Sequence, residues 1–262
     1  MLGLRLATAA AGIPLIVLLI WAGGGWYTGV VAAILAIATL EFQGARGSWL
    51  RPLALISAGF SAGLALAAHA SGEWLIWVLT GIVLVPLFWV TIASATPSAL
   101  PDWLWAIGGI LYIGWLGCHL VLLRDAPDGR DWVFLTVLST FATDTGAYFT
   151  GKSIGRTKLA PSISPGKTVE GACGGYLFGL FAVLLANYFL GLRKDVALIA
   201  PVALLLPLFA QAGDLIESKL KRSMQIKDAS WLIPGHGGLM DRLDSVLLTI
   251  VMVYYYMTWV LP

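Results

Sequence analysis

The chain has 262 residues, 59% of them hydrophobic and only 11% charged, with a net charge of +2 and a mean hydropathy of +0.86. Soluble domains carry about 25% charged residues, so lipid rather than water is the main solvent for this sequence. So small a net charge does not imply a nucleic-acid partner. The two cysteines, Cys118 and Cys173, lie far apart with no CxxC and no Cys/His cluster, which argues against structural zinc and against a disulfide.

A membrane-spanning helix needs about 20 mostly apolar residues. Nine runs qualify, at 4–22, 25–42, 52–70, 74–94, 103–123, 132–151, 169–191, 196–213 and 245–261. They are continuously apolar and do not alternate, so they predict helices, whose backbone groups are satisfied within the segment. The first follows Arg5. No small-residue cleavage site leads from it into a soluble domain, and a second span follows at once, so it reads as an anchor. The expected fold class is an all-α polytopic integral membrane protein of about nine helices, one membrane domain over 1–262 with no internal repeat. Trp26, Tyr27, Trp49, Trp74, Trp103, Trp132, Trp231 and Trp259 fall near segment ends, the pattern of interfacial belts.

Nine spans put the termini on opposite sides, and the basic residues divide accordingly. Twelve lie on the N-terminal side: Arg5, Arg46, Arg51, Lys152, Arg156, Lys158, Lys167, Lys219, Lys221, Arg222, Lys227 and Arg242. The other four, Arg124, Arg130, Arg193 and Lys194, lie opposite. Cytoplasmic loops are enriched in Lys and Arg. The N-terminus and the basic loops 152–168 and 214–244 are therefore expected in the cytosol, and the C-terminus across the membrane.

The half up to residue 123 is chemically quiet. Glu41, Glu73 and Asp102 sit at segment ends, and His119, inside a span, reads first as a packed, hydrogen-bonded residue. Polar chemistry gathers in the half from 132 to 262. Asp144 lies in an otherwise apolar run, where a carboxylate costs several kcal/mol, so it is expected to face a polar cavity or a cation. The fragment GKT at 166–168 is not a P-loop, because Pro161 stands where that motif needs glycine and no strand precedes it. It reads instead as a loop whose Ser164, Lys167 and Thr168 could cradle phosphate at a helix start. Glu170 there suits the helix dipole equally well.

Further on, Asp214, Glu217, Ser218 and Lys221 follow helical spacing and share a face if 211–222 is helical. The turn PGHGG at 234–238 interrupts helix, and Asp241, Asp244 and Ser245 then open the last span on one face. Oxygen-only ligands suit Mg²⁺, which takes one or two carboxylates plus substrate phosphates.

The stretch SKLKRSMQIKDASWLIPGHGGLMDRLD, 218–244, resembles the signature of the phosphatidate cytidylyltransferase family, the CDP-diacylglycerol synthases. Its fixed positions are Ser218, Lys221, Arg222, Lys227, Asp228, Ser230, Ile233, Pro234, His236, Gly237, Gly238, Asp241, Arg242 and Asp244. DTGAYFTGKSIGRTKLAPSISPGKTVEG, 144–171, and AGDLIES, 212–218, are also similar to this family, so the motif match covers about 144–245.

The resemblance implies transfer of a cytidylyl group from CTP to phosphatidate on Mg²⁺, giving CDP-diacylglycerol and pyrophosphate. It implies a site facing the cytosol in a bacterial cytoplasmic membrane, and a homodimer. Asp214, Asp241 and Asp244 are the expected metal ligands, with Asp144 next and room for a second cation. Lys167, Lys221, Arg222, Lys227 and Arg242 are expected to hold phosphates, with Ser164, Thr168 and Ser218 as hydrogen-bond donors. His236 is expected to contact nucleotide or pyrophosphate, and Gly237 and Gly238 to shape the turn. Competing readings are another CTP-dependent lipid enzyme, such as a polyprenol kinase or an ether-lipid cytidylyltransferase, and a cation-coupled transporter. One-sided polar residues and dissimilar halves disfavour transport.

Overall fold

The computed structural model describes residues 2–70, 72–93, 99–232 and 237–261, with side chains described from residue 10 on, except 11 and 72. Nine helices run through the described residues. They are α1 (Leu2–Ala22), α2 (Gly24–Gly44), α3 (Pro52–Ala70), α4 (Gly72–Ala93), α5 (Ala99–Asp125), α6 (Gly129–Ile154), α7 (Val169–Phe189), α8 (Val196–Ser223) and α9 (Met240–Val260). Every apolar run of the sequence has become a helix. Seven of these helices, α2–α5 and α7–α9, are long and apolar enough to cross a membrane. In α1 the described apolar stretch is the shorter Gly12–Ala22. Helix α6 falls short because Arg130, Asp131, Asp144, Lys152 and a run of threonines dilute its apolar content.

The chain divides into two compact units, 1–125 with 228–241, and 126–227 with 242–262. The loop before α9 thus groups with the front of the chain, not with the sequence that flanks it.

In the first unit, α2 and α3 join through small and polar side chains. Helix α3 buries Ala54, Ser57, Ala58, Ser61, Ala65, Ala67 and Ala68, the small-residue face on which membrane helices approach closely. Thr39 Oγ1 donates to Ser61 Oγ at 2.7 Å, and Gln43 Nε2 to Ser57 Oγ at 3.3 Å. Helix α5 passes through a π-helical stretch at Ile110–Trp115. A Cβ at its Gly114 would stand 2.8 Å from Ser61 Cα, so this glycine sets the α3–α5 distance. Arg124 caps the end of α1, donating from Nε to Ile20 O at 2.8 Å, as cations do at helix C-termini.

Two of the expected belt aromatics are core residues. Trp132 is 1% exposed, and Tyr27 is buried with its hydroxyl donating to Leu120 O at 3.3 Å. Residue position near a segment end does not tell which face of the helix a ring occupies. Trp26, Trp74, Trp231 and Trp259 are exposed, in keeping with the belt. His119 is fully buried, its Nδ1 2.8 Å from Trp115 O, a packed residue as expected. Cys118 and Cys173 are both free.

In the second unit, 158–168 is an antiparallel hairpin, β1 (Lys158–Ala160) and β2 (Ser164–Thr168), with Lys158 opposite Thr168 and Ala160 opposite Ser164. The sequence reading expected a plain loop here. Helix α7 packs on α6 through glycines: a Cβ on Gly175 would lie 2.7 Å from Thr143 O, and one on Gly171 2.8 Å from Ala147 O. Those two helices meet backbone to backbone.

Candidate active site

Three helices of the second unit converge by such close approach. In α8, a Cβ on Gly213 would stand 2.5 Å from Asp244 O and 3.2 Å from Ser245 Cα in α9. The residue after that glycine is Asp214, so backbone contact between α8 and α9 brings Asp214 near Asp244. Asp144 joins them from α6: it accepts from Ser245 Oγ at 3.3 Å, and the charges of Asp244, Asp214 and Lys167 all act on it. Asp244 in turn feels Asp214, Arg242 and Lys221. Lys167, carried on β2, forms an ion pair from Nζ to Asp214 Oδ2 at 2.7 Å. Ser218, one turn along α8, donates to Asp214 Oδ1 at 3.5 Å.

Of these groups, Asp144, Lys167 and Asp214 border a cavity of about 390 Å³, which Tyr148, Lys152 and Thr168 also line. That volume lies in the range of ligand pockets. Its lining carries both signs of charge, Lys152 and Lys167 beside Asp144 and Asp214.

The remaining predicted residues of this unit have definite places. Lys221 pairs with Glu217 one turn earlier at 2.8 Å, and Glu217 is 1% exposed. The face expected at Asp214, Glu217, Ser218 and Lys221 is therefore real, because α8 extends to Ser223, beyond the run that ended at 213. Arg222 Nε donates to Ile163 O at 3.2 Å and ties the end of α8 to the hairpin. Ser164 is half-buried, and Lys227 and Arg242 are exposed. Thr168 is buried and serves as the N-cap of α7, its Oγ1 accepting from Gly171 N at 3.1 Å. Glu170 accepts from Arg156 N at 3.0 Å and from Thr157 Oγ1 at 2.9 Å, so it clasps the turn after α6.

The first unit holds the signature loop around a second pair of carboxylates. Asp241 accepts from Gly238 N at 2.8 Å and from Ala229 N at 3.1 Å, the backward reach of a capping box. Gly237 has φ +82°, a left-handed conformation that favours glycine. Gly238 is needed for another reason: a Cβ there would lie 2.7 Å from Glu41 Oε2. Glu41, from α2, is fully buried and accepts from Ser230 Oγ at 2.5 Å, Leu239 N at 3.0 Å and Met240 N at 2.7 Å. Sequence reasoning missed Glu41, which stands alone at the end of an apolar run. His236, with Ile233, Pro234 and Gly235, lies outside the described residues.

Among the described residues no three His, Cys, Asp or Glu side chains converge as a ready-made metal cage. The donor set nevertheless fits a hard divalent cation. Three carboxylates sit within electrostatic reach of one another in the second unit, they offer hard oxygen donors, and Lys167 contacts one of them directly. Mg²⁺ keeps waters and substrate phosphates in its shell and needs only one or two protein carboxylates.

The model of a cytidylyltransferase family matches residues 3–260. The chain belongs to this family. Among relatives of the cytidylyltransferase family, the phosphatidate cytidylyltransferase of Staphylococcus aureus strain COL is 34% identical over 250 residues, 93% of this chain and 95% of that protein. The enzyme of the same name from Bacillus subtilis strain 168 is 38% identical over 146 residues, 55% of this chain and 54% of its own. That of Staphylococcus epidermidis strain RP62A is 33% identical over 180 residues, 68% of each chain. This family member is thus a membrane-embedded nucleotidyltransferase, and the match runs through the front helices as well as the motif-rich half.

Proposed function

We propose that this chain transfers a cytidylyl group from CTP to phosphatidate, giving CDP-diacylglycerol and pyrophosphate. The observation that carries this reading is the cavity in which Lys167 meets Asp214 beside Asp144, with Asp244 in electrostatic reach. It offers cations for phosphates and carboxylates for a metal in one place. Relatives similar over most of the chain are named for this reaction.

The step joins two anions. A phosphatidate oxygen attacks the α-phosphorus of CTP, a new P–O bond forms, and the bond to the β-phosphate oxygen breaks to release pyrophosphate. Catalysis of such transfer is chiefly positioning and charge neutralisation. Lys167, which lines the cavity, would hold phosphate, and Lys221 and Arg242 add positive charge near Asp244. Ser218 and Asp214 orient each other. Asp214 and Asp244 would hold Mg²⁺, with Asp144 a further ligand or the partner of a second cation. When bound, the metal supplies charge stabilisation to the transferring phosphorus. Phosphatidate already carries an ionised phosphate, so no strong general base is required.

The distribution of Lys and Arg supports a site open to the cytosol, where CTP and pyrophosphate are soluble. Substituted-cysteine labelling at 152–168 and 214–232 tests this side directly. For the reaction itself, detergent-purified protein is given phosphatidate, labelled CTP and Mg²⁺. CDP-lipid with pyrophosphate supports the reading. Lipid phosphate with CDP, or no product from folded protein, overturns it.

A further inference from the structure

We infer that Glu41 is a positioning residue for the reaction: a buried carboxylate in the front half of the chain that clamps the signature loop and the start of α9. This rests on the proposed reading, since α9 carries Asp241 and Asp244 in its first turns. Glu41 is fully buried, and all three of its described hydrogen-bond donors belong to the segment from 230 to 240, about 190 residues away in sequence. Two of these donors are the backbone amides of Leu239 and Met240, N–H groups at the helix start that have no partner within the helix. A negative charge there also complements the helix dipole.

The arrangement interlocks with the bonds of Asp241. Amides 229 and 238 go to Asp241, while the Ser230 hydroxyl and amides 239 and 240 go to Glu41. Two carboxylates thus divide these donors of one loop between them. Gly238 belongs to the same device, because any side chain there would displace Glu41 Oε2. A glutamine at 41 would keep the shape but turn an amide NH₂ toward backbone N–H groups, two donors facing each other. The carboxylate, not merely a polar side chain, is what the loop requires.

Glu41 touches no reacting atom in this account. It acts through the loop and the first residues of α9, so its loss should lower turnover while leaving ground-state binding almost intact. The experiment compares wild type, Glu41→Gln, Ser230→Ala and the double variant in full-length detergent-purified protein. It measures steady-state kinetics with CTP and phosphatidate, together with amide hydrogen exchange. For Glu41→Gln we expect kcat to fall about 100-fold with KM for CTP changed less than about threefold, the signature of lost positioning. Exchange should rise in 229–241 and stay as in wild type elsewhere. Ser230→Ala should show a smaller effect of the same kind, and the double variant should lose little beyond Glu41→Gln, because the two residues share one interaction. Wild-type kcat and wild-type exchange in Glu41→Gln would overturn the proposal. So would exchange raised throughout the chain with activity falling only as folded protein is lost. If wild type makes no CDP-lipid but Glu41→Gln still loosens 229–241 alone, the catalytic reading falls and the clamp stands.

Discussion

The two units treat buried charge in opposite ways. In the first, Glu41 lies fully buried yet meets a hydroxyl and two backbone amides, and Thr39 and Gln43 on the same helix also find partners. In the second, Asp144, Asp214 and Asp244 stand within reach of one another's charge, with one lysine in direct contact. A buried polar group with its hydrogen bonds complete is architecture. Carboxylates crowded together repel one another unless a cation joins them. The contrast separates the part that holds the protein in shape from the part poised to bind charge.

The sharpest way to break this contrast is to remove the crowding. Asp214→Asn and Asp244→Asn should each lower CDP-lipid formation about 100- to 1000-fold, the scale of losing one preorganised electrostatic contact. Each variant should also lose the rise in melting temperature that Mg²⁺ gives wild type, read in a thermal-shift titration with and without the metal. Wild-type turnover in either would remove that carboxylate from the site.

Next in size is the buried pair Glu217–Lys221. Lys221→Met leaves Glu217, only 1% exposed, beside an apolar group. Breaking a buried ion pair from one side costs about 3–5 kcal/mol, which chemical denaturation should register along with lost activity. A stability change within error would mean that Glu217 shares its charge elsewhere.

Gly213→Ala should act on geometry alone. Its Cβ would meet the Asp244 carbonyl 2.5 Å away, a backbone atom that cannot swing aside. Forcing α8 and α9 apart should cost about 1–3 kcal/mol of stability and lower kcat without touching a charged group. The smallest expected effect is at Thr168. As an N-cap its replacement by Ala should cost about 1 kcal/mol and leave KM for CTP unchanged. A selective rise in that KM would support the phosphate-binding role expected from the sequence.

Much of this was legible because membrane helices and signature motifs are local. The nine apolar runs became nine helices, and the helical spacing of Asp214, Glu217, Ser218 and Lys221 put them on one face of α8. Asp144, inside its apolar run, carried its own warning in the cost of a charge in lipid. What escaped depended on distant partners. Glu41 looks idle until residues 230–240 arrive from the other end of the chain. Trp132 and Tyr27 sit at segment ends, yet tertiary packing turned them inward. The hairpin at 158–168 is short and carries two prolines, so its strands left no alternating pattern to read. Thr168 did leave a signal, since Thr followed by Glu170 in the first turn is how a capped helix begins.

The central claim is that carboxylates of this membrane chain hold a cation against CTP and a lipid phosphate. The most direct test is CDP-lipid and pyrophosphate formation by purified wild type and Asp244→Asn, with Mg²⁺ titrated in both and folding checked in each. The account predicts Mg²⁺-dependent release of both products by wild type, and a folded variant whose product formation stays at least about 100-fold lower at every Mg²⁺ concentration. Equal activity in the variant, or wild-type turnover indifferent to divalent metal, would contradict it.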